Sequence, residues 1–131
     1  MTSSKPSQLQ HFINNEWRKS QADQWIDDLN PSDASDVIAL VPAGSPDDAR
    51  AASAAGAAAF PGWRGLSGPA RAEHLYRWAA AISARAEELA QVMAREVGKP
   101  IGESRGEVGR CVVILRYYAG EAVREIGQVI P

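Results

Sequence analysis

Residues 102–124 carry two apolar lines on nearly opposite sides of one predicted helix. At 3.6 residues per turn, Val108, Val112, Leu115 and Ala119 fall on one stripe. Arg110, Val113, Ile114 and Tyr117 fall on a second line across from it. A helix with apolar groups on two sides is normally covered on both. The rest of the chain must supply those covers or leave one side bare. At 131 residues, with alanine making up much of a 45% apolar share, it can build one modest core. One cover is therefore expected to be missing, and a neighbouring layer to lie outside this sequence.

The preceding residues read as short strands followed by helices. Residues 1–10 are polar and read as a flexible N-terminus. Phe12-Ile13 and Glu16-Trp17-Arg18 flank Asn14-Asn15. Asparagine tolerates the left-handed backbone of a two-residue hairpin turn. Trp25 to Leu29 reads as another short strand, closed by Asn30-Pro31 because proline pushes its predecessor toward extended geometry. Ser32 to Asp36 read as a polar turn. The run Val37 to Val41 reads as a buried strand that stops at Pro42.

From Ser45 the period changes. Ser45 can accept from free backbone amides, Pro46 suits the first helical position, and Asp47 and Asp48 favour the positive end of the dipole. Alanines carry this helix to Phe60, where Pro61-Gly62 is expected to break it. Ser67-Gly68-Pro69 opens a second helix with Leu75, Trp78, Ala79, Ile82, Ala86, Leu89 and Met93 on one face. Gly98 and Pro100 end it. The third helix runs from about Gly102 to Arg124. The expected fold class is α+β, with short N-terminal strands and a hairpin over 11–42 and three helices over 45–124.

Composition narrows the function. A net charge of −2 gives no electrostatic footprint for nucleic acid or an acidic membrane. One cysteine, Cys111, excludes an internal disulfide framework and a cysteine metal cluster. No apolar run reaches the ~18 residues of a membrane span, and Met1 to Gln10 lack the apolar region of a secretory signal. The cytoplasm is the expected compartment.

Six blocks then match one family in order and spacing. Phe12-Ile13-Asn14-Asn15-Glu16-Trp17 is similar to an opening "FINGEW". Leu29-Asn30-Pro31 resembles its "NP" turn, and Val37 to Pro42 its "VIARVP" strand. Phe60-Pro61-Gly62-Trp63-Arg64 is similar to "FPAWR", Glu96-Val97-Gly98-Lys99-Pro100 to "ETGKP", and Leu115-Arg116-Tyr117-Tyr118-Ala119-Gly120 to "FRYYAG". Each string alone is short. Six in register resemble the N-terminal part of the NAD(P)-dependent aldehyde dehydrogenase superfamily, about the first quarter of a typical member.

The resemblance implies a parent enzyme that oxidises a small-molecule aldehyde to a carboxylic acid with NAD or NADP. A cysteine thiolate attacks the aldehyde to give a thiohemiacetal. Hydride then passes to the nicotinamide, and a water activated by a glutamate releases the acid. The family's "PWN" motif, cofactor-binding lysine, catalytic glutamate and cysteine motif lie beyond Pro131, so no catalytic and no cofactor-binding residue is expected in residues 11–131. These would form an incomplete cofactor-binding domain, inactive alone. Its expected partners are the remainder of the dehydrogenase chain and, for the parent, further copies in a dimer or tetramer.

Two candidate sites follow from the same resemblance. A monovalent cation is expected at the carbonyl oxygens of Asp28 and Leu29 with Glu96, since hard cations take oxygen ligands. A substrate tunnel is expected along Gly106 and Arg110, with Ile114 and Tyr117 as neighbours. Many members carry an apolar residue where Arg110 stands. A guanidinium there suits a substrate with a second acid group, such as a semialdehyde. The competing reading is a solvated arginine, or one paired with Glu107.

Other motifs read as structural. Cys111 lies in a helical context unlike the family's nucleophile and reads as a small buried hydrophobe. Gly98-Lys99-Pro100 lacks phosphate-loop spacing and reads as a helix stop. His74 reads as a surface residue, and Trp17, Trp25, Trp63 and Trp78 as core or interface anchors. The rival function class is a small α-rich binding or oligomerisation module without catalysis, which would pair its bare apolar stripe with itself or a larger chain.

Overall fold

The computed structural model describes residues 6–124 and Gly127. The fold is α+β, as expected, and falls into two compact units. Among the described residues, 6–62 together with Ala94–Gly98 form the first, and Trp63–Met93 together with residues 99–124 form the second.

The first unit holds β1 (Ser7–Gln8), β2 (His11–Ile13), β3 (Glu16–Arg18), β4 (Trp25–Asn30) and β5 (Asp33–Pro42), with most of α1 (Pro46–Gly65). β2 and β3 form the expected hairpin. Asn14 and Asn15 sit at φ 55° and 61°, the left-handed pair that a tight two-residue turn requires. Phe12 faces Trp17 across it with ring centroids 4.9 Å apart. The remaining strands form a sheet in the order β1-β5-β4, with β1 parallel and β4 antiparallel to β5.

In these elements three boundaries differ from the sequence expectation. Ser7–Gln8, placed in the flexible N-terminus, pair with Ala39 and Leu40; residues 1–5 lie outside the described residues. β5 begins at Asp33, not Val37, because Asn30 Oδ1 accepts the Ser32 amide at 2.9 Å and closes the turn early. Helix α1 passes through Pro61 to Gly65. Proline deprives the Ala57 carbonyl of its donor, but α1 buries no residue, so water reaches that carbonyl.

The second unit is helical: α2 (Gly68–Ala84), most of α3 (Ala86–Val97), and α4 (Ile101–Glu121). Ser67 Oγ accepts from the Ala70 amide at 3.4 Å, with Pro69 in the first turn. The single second helix expected from the sequence is divided at Arg85, whose φ of −117° and ψ of 21° leave helical geometry. Its amide turns back to the Ile82 carbonyl at 3.1 Å, and its guanidinium grips Glu88. The expected apolar face stays on the covered side in both halves: Leu75, Ile82, Ala86, Leu89 and Met93 are half-buried. Ala79 and Ala90 are fully buried, whereas Trp78 is 59% exposed.

α2 and α4 pack against each other. Val108, Val112 and Ala119 are buried and Leu115 is half-buried, so the first apolar stripe of α4 is the covered one. Gly68 fixes the approach at one end: a Cβ there would meet the Ala122 carbonyl oxygen at 2.1 Å. α4 stops at Glu121, so Ala122 to Arg124 form a turn instead of the last helical residues. On the far side Val113 is 65% exposed, Ile114 45% and Tyr117 61%. Trp17, Trp25 and Trp63 are exposed as well, so none of the four tryptophans anchors a core within the described residues. No described helix is long and apolar enough to cross a membrane.

Candidate functional site

The outer line of α4 is the first candidate. Gly106, Arg110, Ile114 and Tyr117 follow one another at helical spacing on the side away from Val112, and all four are exposed. Gly106 carries no side chain, and a Cβ built there would meet nothing within 4 Å. Tyr117 stands edge-on to Tyr118, with centroids 5.4 Å apart and planes at 87°. The alternative pairing of Arg110 with Glu107 does not form; Glu107 accepts from Lys99 Nζ. Glu87 is taken as well. Arg105 donates to both its oxygens at 2.9 and 2.8 Å and, with Gln91, holds the carboxyl down at about 2. Arg110 has no hydrogen-bond or ion-pair partner among the described residues.

The second candidate joins β4 to the end of α3. Asp28 is half-buried in β4 opposite Ala39, and the ladder slips on either side of Leu29. A slipped register frees backbone groups from regular pairing, so carbonyl oxygens here have capacity for another ligand. Glu96 lies in the last turn of α3 and is exposed. The chain at that end closes on the β4–β5 turn: Gly98 has φ +72°, and a Cβ there would fall 2.6 Å from Pro31 Cγ. Beside Glu96, Arg95 donates to Asp36 through Nε at 2.8 Å, and Asn30 Nδ2 donates to the same carboxylate at 3.1 Å. Those bonds hold the Asp36 carboxyl at about 2. The hydrogen bond to Asp36, and then the charges of Asp36 and Asp28, in turn raise the Arg95 guanidinium. Among the described residues no group of three His, Cys, Asp or Glu side chains is arranged to hold a metal ion. A cation here would depend on backbone oxygens with one carboxylate.

One constellation was not foreseen. Asp48 accepts from Ser20 Oγ at 2.7 Å, from the Ser45 amide and Oγ each at 2.9 Å, and from the Gln21 amide at 3.2 Å. The Asp48 amide in turn donates to Ser45 Oγ at 3.1 Å, a reciprocal cap at the start of α1. These donors lower the Asp48 carboxyl, the Ser20 bond most. The cluster ties β3's exit to the helix start, and His11 Nε2 lies 3.7 Å from the Asp48 carboxylate. Beside it, clefts of ≈ 320 and ≈ 590 Å³ run along the alanines of α1, with Phe12 and Ile13 lining both.

The structural readings fare unevenly. Cys111 is exposed, not buried, because it lies one residue, about 100°, from the covered Val112. His74 is exposed as expected, within 3.0 Å of an Arg77 nitrogen and with its ring centroid 5.7 Å from that of Trp63, the planes tilted at 59°. Gly98 ends α3 with positive φ and Lys99 is spent on Glu107, so Gly98-Lys99-Pro100 cradles no phosphate.

Comparison with known proteins matches residues 17–131 to the model of the aldehyde dehydrogenase family. The chain is 41% identical over 121 residues to an alpha-ketoglutaric semialdehyde dehydrogenase of Bacillus subtilis, covering 92% of this chain and 25% of that protein. It is 34% identical over 122 residues to a glutarate-semialdehyde dehydrogenase of Pseudomonas putida, covering 93% and 25%. The crystal structure of lactaldehyde dehydrogenase from Escherichia coli superposes with a TM-score of 0.90 at 32% identity, covering 96% of this chain and 26% of that one. The chain thus spans about a quarter of the length of the curated relatives it matches.

Proposed function

The chain belongs to the aldehyde dehydrogenase family, and from that membership we propose that it is the N-terminal segment of an enzyme oxidising an acid semialdehyde to a dicarboxylate with NAD or NADP. The observation that carries the substrate class is the kinship with proteins named for α-ketoglutaric and glutarate semialdehydes. Both are aldehydes with a carboxylate at the opposite end.

The chemistry belongs to residues outside this chain. A thiolate there would add to the aldehyde carbon and a bound dinucleotide would supply the hydride acceptor, so that aldehyde, water and oxidised dinucleotide give carboxylate, reduced dinucleotide and two protons. The described residues offer no phosphate-cradling turn for a dinucleotide, so the cofactor is assigned to the rest of the protein. The present residues contribute walls and supports. The line Gly106, Arg110, Ile114 and Tyr117 lies along the substrate's path. The carbonyls of Asp28 and Leu29 with Glu96 hold a monovalent cation that stiffens the β4 turn against the end of α3. Assembly as a dimer or tetramer in the cytoplasm completes the reading.

The test is reconstitution. This chain alone should reduce no NAD or NADP with any semialdehyde, and activity should appear when it is combined with the complementary remainder. Activity of the remainder that is indifferent to this chain would refute the proposal. Soaking crystals of the assembled enzyme in rubidium should give an anomalous peak at the Asp28 and Leu29 carbonyls, and a flat map there would remove the cation site. The rival module earns support from one feature, the bare line of α4. A tight self-associated state indifferent to the remainder would favour it.

A further inference from the structure

We propose that His11 is a proton-operated latch: on taking up a proton its imidazole pairs with Asp48 and fastens the β2–β3 hairpin to the start of α1. The latch is independent of the dehydrogenase reading and belongs to this segment's own fold.

The hairpin needs such a fastening. Among the described residues its two strands pair only with each other, while β1, β5 and β4 form a separate sheet. A two-stranded ribbon alone is marginal in water, and here Phe12 and Trp17 are 55% and 68% exposed. Its hold on the rest of the unit therefore depends on the end away from the turn. There Asp48 meets the chain beside both strands. Ser20, two residues past β3, donates to its carboxylate at 2.7 Å. His11, the first residue of β2, brings Nε2 to 3.7 Å.

Both groups are incomplete as they stand. His11 Nε2 is shut off from solvent and has no hydrogen-bond partner, a condition that costs free energy. The Asp48 side chain is 12% exposed, and its donors are two hydroxyls and two backbone amides, all neutral. Those donors keep it ionised. Among the described residues His11 is the one base within ion-pair distance of it. A proton on the ring, with a shift of about 1 Å, turns the 3.7 Å approach into a charge-assisted bond.

The neighbouring charges leave this pairing open. Arg18 stands opposite His11 in the ladder, but Glu16 holds its guanidinium at 2.9 Å. Asp47, beside Asp48 on α1, is held by Arg50 at 2.7 Å. Lys19 and Asp23, on either side of Ser20 to Ala22, form no ion pair with His11 or Asp48. Gly44 and Ser45 bring no charge, and Gly44 lies against the ring: a Cβ there would stand 3.8 Å from His11 Nε2. Along the larger cleft His11 and Asp48 are the two titratable groups. Because proton uptake closes the latch, its contribution is present below the ordinary histidine value of about 6.5 and fades as pH rises above it.

The test is backbone hydrogen exchange of this chain at pH 7.8 and 5.5, corrected for the intrinsic pH dependence and read by mass spectrometry. Peptides covering residues 11–18 and 45–49 should exchange at least about threefold more slowly at the lower pH, while β4 and β5 hold steady. In His11→Gln, which takes up no proton, that slowing should vanish. His74→Gln, which removes the other of the chain's two histidines, should keep it. If His11→Gln does not fold, Asp48→Asn serves, since it removes the charge and keeps an acceptor oxygen; it too should lose the slowing. No slowing in the parent chain, or equal slowing in the His11 or Asp48 variant, overturns the latch. So does an equal change across β4 and β5, which marks a titration of the whole fold.

Discussion

Val112 and Val113 are neighbours in sequence and lie on opposite sides of the boundary between covered and bare α4. Val112 is 9% exposed and Val113 65%. Truncating Val112 to alanine removes two buried methyl groups at about 0.8 kcal/mol each and leaves a small cavity, so a loss of about 2 kcal/mol is expected. Truncating Val113 removes little buried area and relieves the χ1 restriction of a branched residue in a helix, for a gain of up to about 0.6 kcal/mol. The same substitution one residue apart should therefore change stability in opposite directions. Urea unfolding followed by helical circular dichroism reads both as midpoint shifts at constant slope. Equal losses at both positions would refute the sidedness of α4 in this chain. In the full-length enzyme the sign at Val113 should reverse, because the proposed cover buries it there.

Glycine substitutions should also split by site. Gly98→Ala meets a positive φ and Pro31 Cγ at 2.6 Å and should cost more than about 1 kcal/mol, whereas Gly102→Ala enters open space in α4 and should gain about 0.5–1 kcal/mol; urea midpoints decide. The ion pairs set an acid limit. Asp36 and Glu87 are held at about 2 against ordinary values of 3.8 and 4.5. Depressed carboxylates stabilise the fold above their unfolded pKa and lose that contribution as pH falls through the folded value. Stability should thus decline between about pH 4.5 and 2, and Arg105→Gln should flatten the Glu87 share of the decline in a pH series of urea midpoints. Carbon-detected titration of Asp36 at the ordinary carboxylate value would contradict the Arg95 pairing.

Local chemistry made some elements readable and long-range pairing hid others. Asn14-Asn15 announce their turn because few other residues accept that backbone, and Ser45-Pro46 announce α1 through the demands of free amides. The sidedness of α4 follows from period alone. The break at Arg85 carries no such mark: Ala84, Arg85 and Ala86 are all good helix formers, so tertiary packing overrides propensity there. Ser7 and Gln8 become a strand only because β5 offers them an edge, and polar residues give no alternation to reveal it. Pro61 fails to stop α1 because exposure lets water replace the missing donor. At the candidate sites the residue types were legible. That Glu107 is already spent on Lys99 was not.

The most direct test of the account is thiol labelling on the bare side of α4. In a Cys111→Ser background, Ile114→Cys and Tyr117→Cys should react with a water-soluble maleimide in this chain at nearly the rate of a free peptide thiol. In the full-length enzyme both should be protected, with reaction restored by denaturant and, for the tunnel-facing position, slowed further by the dicarboxylate product. Protection of both cysteines in the isolated chain, or free reaction of both in the whole enzyme, would contradict the claim that another part of the same enzyme covers this side.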